Sequence, residues 1–119
     1  MYDLTFKVKQ HGTYRGMTYI IFSSASGYYR CYIGIPQKQW HDEIIYTKFN
    51  KRMTIGDRFL KRQYPNLSLK DIDNIWMCFV AKSDTSYDNY DNTKDFDRYM
   101  LHECHDVINR IIDVTDNAH

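Results

Sequence analysis

The residues best suited by type to do chemistry are His102-Glu103-Cys104-His105. Two imidazoles at i and i+3 share one face of a helix, and His102 with Asp106 at i, i+4 makes a second bidentate pair. This is not the HExxH spacing of a zinc hydrolase. A structural site needs about four ligands, and only the distant His11, His41 or His119 could complete one. Cys104 falls on the apolar side of the same helix. The group reads as a solvated helix face, so no metal and no cofactor is expected. Cys31 with His41 is the other pairing to weigh, a thiol nucleophile with its base. Cys31 sits mid-strand on an apolar face, whereas reactive thiols occupy open, electropositive places. Cys31 and Cys78 both read as small core residues. The chain contains no GxSxG, P-loop or GxGxxG, and an enzyme is not expected.

Charge is the second source of chemistry. The chain has 119 residues and a formal net charge of +1, so its total announces neither nucleic acid nor membrane. Its distribution is uneven. Residues 48–70 hold Lys48, Lys51, Arg52, Arg58, Lys61, Arg62 and Lys70 against Asp57 alone. Residues 84–97 hold Asp84, Asp88, Asp91, Asp95 and Asp97 against Lys94 alone. Phe49, Phe59 and Tyr64 interleave the basic stretch, a mixture that can stack bases and neutralise phosphates, although a charged helix surface is the plainer reading. Tyr87, Tyr90 and Phe96 stand among the acids, where they could anchor a docking ribbon on a basic partner. The plainer reading there is a polar loop leading to a helix cap.

The elements that must position these residues follow from periodicity. Residues 4–9 alternate apolar and polar, a first strand, with His11-Gly12 as the expected turn. Residues 17–22 and 28–35 are rich in Tyr, Ile and Phe and flank Ser23-Ser24-Ala25-Ser26-Gly27, which makes them a β-hairpin. Alternation puts Tyr29, Cys31, Ile33 and Ile35 on one face, the expected core, and Tyr28, Arg30, Tyr32 and Gly34 on the other. Pro36 ends that strand. Residues 43–49 suit a short helix or a strand. Residues 54–63 read as a basic helix with Ile55, Phe59 and Leu60 on one side. Ser68 caps a brief turn with Asp71 three residues on. Residues 75–81, IWMCFVA, are a central strand bounded by turn formers. The last element is a helix capped by Asn92. Its stripe is Phe96, Met100, Cys104, Val107, Ile108 and Ile111, and its wet side is Arg98, His102, His105, Asp106, Asn109 and Arg110. Residues 115–119 are expected to fray.

Strands first and one amphipathic helix last predict an α+β fold: an antiparallel sheet of four to five strands with the C-terminal helix packed on one face. Residues 1–119 are expected to form a single domain. Three scattered cysteines give no disulfide framework and suit a reducing cytoplasm. Met1-Tyr2-Asp3-Leu4 shows no basic, apolar leader. No apolar run reaches the roughly 18–20 residues of a membrane span.

Several of these segments resemble a group of small, uncharacterised bacteriophage proteins. Their pattern is a Y-K-G-like strand start, then GYRCGYV-x-[IL]-P, HGG-[IL]-T-Y, WW-I-G-F-D-x-x-H and a final helix with R-x-x-E-Y-V-x-x-E. Tyr14-Arg15-Gly16 is similar to the first piece, and residues 27–36, GYYRCYIGIP, to the second with one residue of displacement. Residues 75–79, IWMCF, are similar to the strand, and residues 98–104 to the helix. No HGG exists here, and the acid and the His that follow WWIGF fall on Val80 and Ser83. The resemblance implies a phage or prophage origin, a bacterial cytoplasm and the α+β fold.

The expected function is therefore a phage-encoded, non-enzymatic protein that binds and inhibits a host protein by occluding a surface. A defence nuclease is the expected target, in the manner of an anti-CRISPR. The expected contacts are an acidic, aromatic set (Asp84, Tyr87, Asp88, Tyr90 and Asp91) and a basic set (Lys51, Arg52, Arg58, Lys61 and Arg62). The alternatives are a sponge for a nucleotide signal, held by Arg30, Tyr28 and Tyr32 at a homodimer interface, and a nucleic-acid-binding accessory protein.

Overall fold

Period-two patterning sets the sheet. The structure is a computed structural model that describes residues 6–68, 71–82 and 92–117. Five strands, β1 (Phe6–Tyr14), β2 (Met17–Ser24), β3 (Tyr28–Ile35), β4 (Thr54–Ile55) and β5 (Ile75–Lys82), form one sheet in the order β1-β2-β3-β5-β4. Every neighbouring pair is antiparallel. Among the described residues, three α-helices accompany them, α1 (Glu43–Tyr46), α2 (Arg58–Gln63) and α3 (Asn92–Asn117), with a short 3-10 helix at Gln37–Gln39. The fold is α+β, with five strands and the long helix last.

The expected hairpin is β2–β3. Gly27 at φ 85° closes its loop with an N–H bond of 3.1 Å to the Ser24 carbonyl. The turn foreseen at His11-Gly12 lies elsewhere. β1 runs straight through those residues, and the chain reverses at Arg15-Gly16, where φ is 50° and 85°. Two successive positive φ values define the type I′ turn that matches strand twist. Gly12 serves a different purpose. It pairs with Tyr19 across the strands, and a Cβ on it would stand 2.7 Å from the Tyr19 hydroxyl. The bulge between Val8 and Gln10 frees Lys9 to reach Asp97 of α3.

One face of the sheet meets α3. Met100, Cys104, Val107, Ile108 and Ile111 pack with Tyr29, Cys31, Ile33 and Ile35 of β3, Met77 and Phe79 of β5, and Ile44 of α1. This is the predicted stripe on the predicted strand face. Each such side chain taken out of water contributes about 1.5–3 kcal/mol before entropy is counted. The helix runs to Asn117, Thr115 Oγ1 donates to the Ile111 carbonyl at 2.9 Å, and residues 118–119 of the expected frayed end lie outside the described residues.

The opposite face is covered too. Ile20, Phe22, Tyr32, Trp76 and Cys78 pack beneath Leu60 of α2, with Phe59, Tyr64 and Leu67 around them. The expected helix over residues 54–63 resolves into two pieces. Thr54 and Ile55 pair with Cys78 and Met77 as β4, and helix begins only at Arg58. Gly56, which donates its N–H to the Trp76 carbonyl at 3.0 Å, separates the two. Ile55 therefore lies on the sheet edge and not on the buried side of α2. Of the two readings of residues 43–49, the helix is the one observed, as α1.

Candidate functional site

The basic segment divides into cations that hold the fold together and cations that face outward. Arg58, Lys61 and Arg62 sit at i, i+3 and i+4 on the exposed side of α2, opposite the fully buried Leu60. Lys61 reaches back one turn to Asp57 at 3.0 Å. That pair is exposed and contributes little to stability. Lys48 and Arg52 are exposed in the connection between α1 and β4. Lys51, between them, turns inward. Its Nζ bonds Glu103 of α3 and lies 5.0 Å from the centre of the Phe79 ring. The Lys51 ammonium holds the Glu103 carboxyl below its usual range, helped by the Tyr99 hydroxyl. Lys51 is thus already neutralised within the chain.

The 47–53 connection separates two concavities. On one side is a groove of about 320 Å³, floored by Ile44 and Met77 and walled by Ile45, Phe49, Met53 and Ile55. β4 explains it. The pairing of Ile55 with Met77 turns Ile55 toward the face that α3 covers, but α3 packs over β2, β3 and α1 and leaves this edge open. Ile55 is 51% exposed, Ile45 53% and Tyr46, the last residue of α1, 81%. On the other side is a mixed cleft of about 370 Å³ lined by Phe49, Asn50, Lys51 and, from α3, Val107 with the polar residues Asp106, Asn109, Arg110 and Asp113. The exposed apolar side chains of this surface were not foreseen. A β-branched pair followed by glycine, Thr54-Ile55-Gly56, was the signal that a strand and not a helix stood there.

The rings proposed for a nucleotide are turned to internal use. The Arg30 guanidinium lies over Phe59 at 4.2 Å and Phe6 at 5.3 Å. Phe59 stacks parallel to Tyr32 at 5.9 Å. Tyr32 is only 3% exposed, and burial pushes its hydroxyl pKa up to about 12. Tyr28 carries Lys82 over its ring at 5.2 Å.

Asp84, Tyr87, Asp88, Tyr90 and Asp91 lie outside the described residues. Of the two remaining acids in that run, Asp95 is exposed and Asp97 is a fastening point. Tyr29 donates its hydroxyl proton to Asp97 Oδ1 at 2.8 Å, Lys9 approaches Oδ2 at 3.5 Å, and Gln10 donates to the Asp97 carbonyl at 3.0 Å.

The histidines and thiols are not gathered. His102 faces solvent, while His105 and Asn109, expected on the wet side, pack against the β1–β2 turn. His41 accepts the Glu43 backbone N–H through Nδ1 at 3.3 Å, at the start of α1. Cys31 is fully buried and its neighbour is Cys104; burial, then that second thiol, raises the Cys31 pKa well above its usual value. Burial raises Cys78 likewise. Among the described residues, no group of three or more His, Cys, Asp or Glu is placed to hold a metal ion, and no helix is long and apolar enough to cross a membrane.

No protein-family model matches this chain, and comparison with curated proteins and with solved structures finds no match.

Proposed function

We propose that this chain is a non-catalytic binding protein that acts by covering a surface of a partner protein. One observation carries the reading. Ile45, Tyr46 and Ile55 are more than half exposed, and the outward cations Lys48 and Arg52 stand in the connection between α1 and β4 that joins them. Buried apolar anchors ringed by charge are the composition of a protein interface. The resemblance of the hairpin and of β5 to small phage proteins supports a host protein as the partner. A defence nuclease, including one guided by RNA, is the class proposed. The raised thiol pKa values of Cys31 and Cys78 agree with surface contact rather than nucleophilic work. The nucleotide-sponge reading loses support, because Tyr32 is buried and both Arg30 and Tyr32 are packed against Phe59.

The test is a titration of the purified chain against candidate host nucleases. Cleavage should fall linearly and stop at a fixed molar ratio of chain to nuclease. Inactivation that continues with trace amounts would mean turnover, and would overturn a purely contact-based mechanism. Recovery from host lysate with no partner at comparable molar yield would count against the reading as a whole.

A further inference from the structure

We infer, on the contact reading above, that Arg30 is the seat for a carboxylate, supplied as an aspartate or glutamate side chain by the partner protein. The chain has seven arginines, and Arg15, Arg52, Arg58, Arg62, Arg98 and Arg110 are all exposed. Arg30 alone is half-buried. It stands on the sheet face that α2 covers, between Phe22 of β2 and Val80 of β5. Its guanidinium carbon lies 4.2 Å from the centre of the Phe59 ring and 5.3 Å from that of Phe6. Ring faces attract the cation, but they are poor acceptors for its N–H groups beside a carboxylate. The Arg30 Nε is buried with no hydrogen-bond partner, and Arg30 makes no ion pair among the described residues. Charges drawn out of water are ordinarily paired, so this cation lacks a counter-ion.

The described groups around Arg30 do not supply one. Burial pushes the Tyr32 pKa up to about 12 and raises that of Cys78, so both stay protonated at neutral pH. Asp57, at the start of α2, is held by Lys61 at 3.0 Å. Asp71 accepts from Thr18 at 2.8 Å. Thr18 pairs with Gly34, about 13 Å along β3 from Arg30, farther than exposed charges act through physiological salt. Lys82, the other cation of this face, lies over Tyr28 at 5.2 Å and adds positive potential. The place is also open to a partner, because Val80, directly opposite Arg30 on β5, is 53% exposed. A carboxylate matches one guanidinium in charge and in flat, two-oxygen geometry, and the methylenes behind it can rest on Val80. A phosphomonoester brings nearly two charges to this single half-buried cation. A nucleotide would also need a free ring for its base, and Phe59 is already stacked with Tyr32.

The experiment reads the arginine Nε–H signals of the ¹⁵N-labelled chain. Sodium acetate and dimethyl phosphate are titrated separately, against sodium chloride at matched ionic strength. The Arg30 signal, identified by its absence in Arg30→Lys, should shift saturably with acetate, while the six exposed arginines move no more than in chloride. Dimethyl phosphate, the probe for a nucleic-acid backbone, should reach half-saturation at a concentration at least about threefold higher. An Arg30 signal that moves no more in acetate than in chloride, or that saturates as readily with dimethyl phosphate, would overturn the inference. So would an acetate response seen only after Asp84→Asn, Asp88→Asn and Asp91→Asn are combined, because the chain would then cover Arg30 with its own acids. Against a nuclease that the chain inhibits, Arg30→Lys should weaken inhibition by about tenfold or more, since lysine keeps the charge and loses the two-pronged donor. Equal inhibition by wild type and Arg30→Lys would overturn the inference and leave the contact reading standing. Failure to find any inhibited nuclease would count against the contact reading, and the acetate titration decides Arg30 without one.

Discussion

Tyr14 lies flat against His105, with ring centroids 3.9 Å apart and planes 13° from parallel. The contact locks the β1–β2 turn to the middle of α3. Asn109, one turn further on and 95 residues from Tyr14, accepts two bonds through one oxygen: from the Tyr14 hydroxyl at 3.1 Å and from Arg15 Nη1 at 2.8 Å. Tyr19 meets the same imidazole edge-on at 5.6 Å. Burial, then the neighbouring His102, lowers the His105 pKa from 6.5, with Asp106 opposing. A depressed folded pKa means that the unfolded chain takes up the proton first as pH falls. Stability from this contact is therefore full above 6.5 and is lost as pH drops below 6.5 and through the lowered folded value. Thermal melts across that window should show a falling midpoint. His105→Gln should melt lower at neutral pH and lose most of the slope below 6.5. An unchanged slope in the variant would assign the pH dependence to another group.

Lys51 and Glu103 are joined across 52 residues, with both side chains about 15% exposed. Glu103→Gln removes the counter-ion and leaves an ammonium against Phe79 with little water. The expected loss is about 1–3 kcal/mol, read by urea denaturation. Replacing both partners by Lys51→Met with Glu103→Leu should recover most of it, because no charge is then stranded. The pair also predicts an acid limb separate from that of His105. The Glu103 pKa is lowered from 4.5 in the folded chain, so its contribution is present above 4.5 and disappears as pH falls through the lower folded value. Glu103→Gln should remove that limb and keep the histidine one.

Two glycines in the sheet should respond differently to alanine. At Gly34 a Cβ would stand 2.7 Å from Asn74 Nδ2 and 2.8 Å from the Trp76 ring. Trp76 is buried beside Tyr32 and Leu60 and has nowhere to move, so Gly34→Ala should cost about 1–3 kcal/mol. At Gly12 the obstacle is the hydroxyl end of Tyr19, which is only half-buried and can swing aside. Gly12→Ala should cost less, below about 1 kcal/mol. Paired denaturation curves decide it, and an equal cost at the two sites would contradict the packing described.

What was legible in the residues is what depends on period. The alternation of β3 and the 3–4 stripe of α3 assign the half of the core beneath α3, because each residue's face is fixed by its neighbours in sequence, whereas the second half, where Tyr32 meets Phe22, Trp76 and Leu60, needs α2 to cover it. Partnerships across the chain are not written locally. Lys51 looks like its exposed neighbours Lys48 and Arg52 until α3 brings Glu103 to it. His105 and Asn109 fall on the polar side of the helical wheel, yet the β1–β2 turn folds against them and makes them half-buried tertiary contacts. Gly12 suggests a turn because glycine does so generally, whereas here it makes room for the Tyr19 ring. The groove was hidden for the same reason. Ile55 counts as core in any reading that extends α2 backward, and only its pairing with Met77 shows it on an open edge.

The division of the basic segment gives the last prediction. Arg52 and Arg58 are exposed and make no ion pair among the described residues, so Arg52→Glu with Arg58→Glu should change stability by no more than about 0.5 kcal/mol each. If these outward cations meet an acidic partner, the same double change reverses the charge they present to it. Partner affinity should fall by tenfold or more, mostly through a slower association rate, and the loss should shrink at high salt. Lys51→Ala should behave oppositely. It strands Glu103 and lowers the melting temperature, while partner affinity measured well below that temperature changes little. Association kinetics on an immobilised partner, run alongside melts of each variant, separate the two. Equal effects of Lys51→Ala and the arginine pair on association would mean that Lys51 leaves Glu103 to meet the partner, and that the inward and outward cations form one surface after all.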